Sequence, residues 1–159
     1  MKKARFLTTA AVISAVYIVL TLFTNALGLA SGAVQIRISE SLCILPMFTP
    51  AAIPGLFIGC LISNLLCGCV VWDIVFGSIA TLIGAVFTYF LKKNKYLAVI
   101  PPILSNTIII PFVLKFSYGL PEGVWYFVVT VGLGEIISCG ILGNILYNCL
   151  KKYENHIKF

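Results

Sequence analysis

The run VGLGEIISCGILGNIL, Val131 to Leu146, holds a single acid, Glu135, among residues suited to lipid or to a packed helix. An ionisable side chain at that depth costs ~3 kcal/mol on insertion scales, so an acid kept there is first a functional candidate. Two amides have similar surroundings, Asn64 in LISNLLCG and Asn106 in ILSNTIII. Ionised Glu only accepts hydrogen bonds, whereas Asn donates and accepts, so the three would together suit a small planar molecule carrying several N–H and C=O groups. The alternative is that each is a polar contact between helices.

Further polar residues gather near segment ends. Arg37 and Glu40 lie in QIRISE, Asp73 follows Trp72, and Tyr118, Glu122, Trp125 and Tyr126 flank a late loop. Arg37 and Glu40 are either part of a binding mouth or an exposed ion pair worth under ~1 kcal/mol. The tryptophans are either stacking platforms or interfacial anchors. Gly28 to Val34, GLASGAV, has the small residues of a flexible lid. Thr8, Ala11 and Ala15 follow i, i+3, i+7 spacing, a small-residue strip that lets another helix approach, whether from this chain or a partner.

Catalytic and metal-binding patterns are absent. No Gly-Lys dipeptide occurs, hence no Walker A loop, and neither an HExxH motif nor a Ser-His-Asp set is present. Of six cysteines only Cys67 and Cys69 are close in sequence, and the single histidine, His156, lies in the tail, so neither metal nor cofactor is expected. The cysteines read as small packing residues, with a strained external disulfide at 67 and 69 as the alternative.

The elements that must position these groups follow from composition. Of the 159 residues 60% are hydrophobic and 10% charged, and the mean hydropathy is +1.07. That is an integral membrane protein, and the segments 6–36, 42–72, 74–91, 96–114 and 123–150 approach or exceed the ~20 residues needed to cross the hydrocarbon. Lys2/Lys3/Arg5, Lys92/Lys93/Lys95 and Lys151/Lys152/Lys158 hold nine of the eleven cations. Clusters at span ends are a topology signal, which leaves nucleic acid little place as a partner.

If all three clusters are cytoplasmic, an even number of spans separates the first two, so 42–72 crosses twice. As one helix it would measure about 46 Å, too long for one upright pass. Pro46, Pro50 and Pro54 break it, since each removes a backbone donor and disfavours helix just before it. The expected fold is therefore an all-α bundle of six transmembrane helices, one domain over 1–159. Its second helix is short and broken near 40–53, the third runs near 55–71, and both termini are cytoplasmic. Broken backbone at that depth is tolerated only where protein or a cavity covers it. Glu135 would lie about 18 Å down the last helix, and Asn64 and Asn106 about 15 Å up theirs, at one level.

The runs RISESLCILPMFTPAAIPGLFIGC (37–60), DIVFGSIATL (73–82) and VGLGE (131–135), in this order and spacing, resemble the QueT family. These are queuosine-precursor substrate-binding subunits of energy-coupling factor transporters, an ABC importer class. Cys43 and the Cys67/Cys69 pair are not part of the likeness. The resemblance implies a six-helix subunit of the cell membrane that captures a vitamin-like substrate outside. It also implies a transmembrane coupling subunit and two cytosolic ATPase subunits as partners, the first meeting the strip at Ala11 and Ala15.

The implied substrate is a 7-deazaguanine base, whose ring N–H and exocyclic amine a carboxylate can accept side by side. Glu135 is the expected reader of that edge, with Asn64 or Asn106 at the carbonyl and Glu40 or Asp73 at an aminomethyl cation. Trp72, Trp125 or Tyr126 would stack. Two rivals compete: a structural or assembly subunit without ligand, in which Glu135, Asn64 and Asn106 join helices, and an ion-coupled transporter using Glu135 as proton carrier. No nucleophile-base pair supports an enzyme.

Overall fold

A computed structural model describes residues 2–29 and 35–153. Most of the expected lid, 30–34, lies outside them, as do His156 and Lys158. Among the described residues the architecture is all helical, without strands, and six helices follow one another. α1 is Lys2–Ala26, α2 Ile38–Met47, α3 Ala52–Leu66 and α4 Val71–Phe90. α5 is Lys95–Ser117 and α6 Val124–Lys152. Of these, α1, α4, α5 and α6 are long and apolar enough to cross a membrane, while α2 and α3 are shorter.

The short second helix is found, with a geometry that periodicity does not reveal. α2 is a ten-residue 3-10 helix with Pro46 inside it. At about 2.0 Å per residue it covers roughly 20 Å, more than the 15 Å of an α-helix of that length. Every residue from Ser39 to Pro46 is buried, so its irregular backbone is covered by protein, as such depth requires. It is anchored to α1 by Thr21, whose hydroxyl donates to Ser39 Oγ at 2.8 Å.

α3 starts at Ala52 and stops at Leu66, short of the expected 71. Gly68, at φ 72°, makes the left-handed turn that ends the helix. The Gly68 amide donates to the Leu65 carbonyl and the Cys69 amide to the Asn64 carbonyl, both at 3.1 Å, the pairing of a Schellman motif. α4 then begins with Asp73 in its first turn, where the positive end of the helix favours an anion.

Glycine contacts draw the bundle together. A Cβ on Gly55 would stand 2.7 Å from the Ala10 carbonyl oxygen, and one on Gly59 2.9 Å from Tyr17 Cβ, so α3 lies tightly against α1. On Gly84 it would stand 2.7 Å from Pro102 Cα, setting α4 against α5. α6 contains a π-helical segment, Ile136–Leu142, directly after Glu135. Such segments are rare and concentrate at functional sites.

Candidate functional site

The loops that end α1, α3 and α5, with the start of α4, surround a cavity of about 330 Å³. That volume lies near the lower end of the range for small-molecule sites, about 300–1,000 Å³. Its polar lining comprises Thr21, Asn25, Gln35, Arg37, Asn64, Asp73 and Tyr118, with Cys67, Gly68 and Cys69 along one side.

Asp73 is the most demanding of these groups. It is 3% exposed. Its Oδ2 accepts from the Tyr118 hydroxyl at 2.9 Å, while its Oδ1 has no hydrogen-bond partner among the described residues. Burial, and then the charge of Asp73, raise the Tyr118 phenol above its ordinary pKa, so that hydroxyl remains a donor well into alkaline solution.

Asn64 stands beside Asp73. A Cβ on Gly77 would meet Asn64 Nδ2 at 3.1 Å and Asp73 Oδ1 at 3.4 Å, so the bare glycine leaves both atoms facing one small space. An amide donor next to a carboxylate acceptor is what a ring edge with adjacent C=O and N–H groups would meet.

Arg37 adds a cation to the wall, within electrostatic reach of Asp73 and Glu40 and of Glu135. Its segment is held against α6, its backbone amide donating to Ser138 Oγ at 3.2 Å. Gly134 makes that contact possible, because a Cβ there would stand 2.1 Å from the Gln35 carbonyl oxygen. The glycine before Glu135 is thus a seat for the 35–37 segment.

The expected trio is therefore divided. Asn64 belongs with Asp73 on the cavity wall. Glu135, Asn106 and Glu40 are buried and do not line the cavity. Glu135 Oε2 is 3.3 Å from Cys139 Sγ, with Asn106 as a hydrogen-bonding neighbour. Glu40 accepts from the Tyr17 hydroxyl and, at 3.1 Å, from the Cys43 thiol. Arg37 and Glu40 are consequently not an exposed surface pair.

Trp72, Trp125 and Tyr126 are not brought to the cavity, being 59%, 83% and 46% exposed. Helical geometry explains this, since Asp73 points inward from α4 and its neighbour Trp72 must then face another direction. Trp72 instead lies along an apolar groove with Phe76 and Phe112. Residues that sequence reasoning passed over include Tyr17, Thr21, Asn25 and Gln35. Tyr17 and Asn25 carried a signal, a polar ring and an amide inside the apolar segment 6–36.

The sequence profile of the QueT transporter family matches residues 7–152. The chain belongs to the QueT transporter family. One curated QueT relative, the queuosine precursor transporter of Lactococcus lactis subsp. cremoris (strain MG1363), is 34% identical over 85 residues. That alignment covers 52% of this chain and 50% of the relative, so the match spans about half of each. No solved structure matches. Membership of this QueT family and its long apolar helices make the chain a multi-pass membrane protein of transport.

Proposed function

We propose that this QueT-family protein captures a 7-deazaguanine queuosine precursor in the 330 Å³ cavity and presents it for uptake across the cell membrane. The observation carrying the reading is the buried Asp73 Oδ1, which has no partner among the described residues, beside the Asn64 amide. A guanine-type edge offers a ring N–H and an amine that a carboxylate accepts, and a carbonyl that Asn64 or Arg37 donates to. Asp73 thereby takes the role that sequence reasoning assigned to Glu135. Glu135 and Glu40 lie one layer behind, within electrostatic reach of the Arg37 cation. An aminomethyl cation on the base finds its counter-charge at Asp73 as well.

The cavity opens at the end of the bundle away from Lys2, Lys92, Lys93 and Lys151, as the order of the helices requires. With those basic clusters inside, it faces outward. Ala11 and Ala15 line a groove of about 450 Å³ between α1 and α3. Both are exposed, and this is the face on which a transmembrane coupling subunit would sit. Thr8 is exposed too, but its hydroxyl turns back to the Ala4 carbonyl at 2.9 Å. Energy would come from two ATPase subunits bound through that coupling subunit, as in energy-coupling factor importers.

Calorimetry on the purified protein with 7-aminomethyl-7-deazaguanine, guanine and adenine tests the reading. The deazaguanine binds and adenine does not, because a site built to pair N–H groups rejects an isostere lacking them by as much as ~10⁴-fold. Equal binding of adenine, or no heat from any base, refutes it.

A further inference from the structure

Behind the cavity, three soft or anionic donors, Glu40, Cys43 and Cys139, converge from two helices, with Glu135 beside the third. Glu40 and Cys43 are three residues apart on α2, and in a 3-10 helix side chains at i and i+3 eclipse. They share one face, with Cys43 Sγ 3.1 Å from Glu40 Oε2. Glu135 and Cys139 are four apart on α6, and Cys139 Sγ lies 3.3 Å from Glu135 Oε2. The two pairs face each other: the donor atoms of Glu40, Cys43 and Cys139 all lie within 4.8 Å of one another. Exposure is 1% for Glu40 and Cys43, 2% for Cys139 and 7% for Glu135.

We propose that Glu40, Cys43 and Cys139 form a three-ligand binding site for a zinc-class divalent cation, pinning α2 to α6, with Glu135 beside Cys139 as the nearest group to the fourth position. A tetrahedral zinc site with metal–sulfur bonds of ~2.3 Å and metal–oxygen bonds of ~2.0–2.2 Å has ligand-to-ligand edges of about 3.4–3.8 Å. The donors of Glu40, Cys43 and Cys139, within 4.8 Å of one another, need to draw together by about 1 Å at most to meet it. Two thiolates draw a borderline-soft metal, and the Glu40 carboxylate turns the preference from copper(I) toward zinc.

Charge balances as well. One divalent ion displaces one proton from each thiol, so the cluster keeps its net charge while the Glu40 carboxylate exchanges a weak S–H donor for a metal bond. The Tyr17 hydroxyl on Glu40 and the Asn106 amide beside Glu135 supply the outer hydrogen bonds that orient such ligands. Spacing along the chain conceals this set, because neither cysteine has its partner within its own helix.

Metal analysis of protein purified from zinc-supplemented cells tests the site, followed by chelation and loading with Co²⁺ to read thiolate-to-metal absorption. The expected result is near one metal per chain, lost in Cys43→Ser/Cys139→Ser and kept in Cys67→Ser/Cys69→Ser. Unaltered protein gives a second readout that no folding defect can mimic: metal protects Cys43 and Cys139 from alkylation, mapped by mass spectrometry. Absence of metal after both treatments overturns the proposal. So does metal retained in Cys43→Ser/Cys139→Ser, or a Cys43–Cys139 disulfide in the native protein. Base binding is measured separately on the same samples, so failure of the metal site and failure of the cavity reading are distinct results.

Discussion

Replacing Asp73 by Asn isolates the chemistry assigned to the cavity. The change conserves shape and keeps an acceptor for Tyr118, but it removes the charge and puts an amide where a base would present N–H groups. Hydrogen bonds to a charged group are worth about 1.5–3 kcal/mol each, so losing two raises the dissociation constant by roughly 10²- to 10⁴-fold. The free protein loses no hydrogen bond at Asp73 Oδ1, which has no partner among the described residues, while the Arg37 cation loses one anion within electrostatic reach. Thermal denaturation with and without base separates the two effects. At a base concentration 100-fold above the wild-type constant, the wild type gains about 2.7 kcal/mol. A variant weakened 100-fold gains only about 0.4 kcal/mol at that concentration. Affinity within threefold of wild type would refute the reasoning, since a carboxylate that reads two N–H groups cannot be neutralised so cheaply.

Gly77→Ala should separate affinity from stability: its methyl enters the space 3.1 Å from Asn64 Nδ2 and 3.4 Å from Asp73 Oδ1, weakening base binding about tenfold. The helix-propensity gain of up to about 1 kcal/mol is offset by that 3.1 Å contact, so the melting temperature should move little while calorimetry reads the weaker binding. Gly134→Ala should destabilise by roughly 1–3 kcal/mol, the scale of overpacking, because backbone lies 2.1 Å from the new Cβ; an unchanged melting temperature would contradict the seat assigned to the 35–37 segment. Ala11→Leu and Ala15→Leu should leave base binding to the isolated protein intact while abolishing uptake in cells, measured with labelled base. Trp125→Ala should leave affinity unchanged, its side chain being 83% exposed.

Which parts of this arrangement were legible in sequence depends on how local their causes are. Span count and order follow from composition and from where the lysines fall, both of which act segment by segment. The break at α2 was visible because Pro46, Pro50 and Pro54 act on their own backbone. Its 3-10 form was not, since that depends on the helices packed around it. The end of α3 was read late because Cys69, Val70 and Val71 are as apolar as the helix before them, and only the φ of Gly68 stops it.

The site divides along the same line. Apolar context made Glu135 conspicuous, while Asp73, one residue from a tryptophan at a span end, read as rim. Both are buried acids in the structure, at 7% and 3% exposure, but only Asp73 reaches the cavity. What decides between them is the 35–37 segment crossing α6 at Gly134, a contact between residues about a hundred positions apart. Depth along a helix follows from counting residues, whereas access to a ligand depends on which strand of chain lies over the acid. A glycine directly before a buried acid therefore has two meanings in a membrane helix, room for a ligand or room for backbone. Here the carbonyl of Gln35 occupies that room, and Glu135 lies behind it, off the cavity wall.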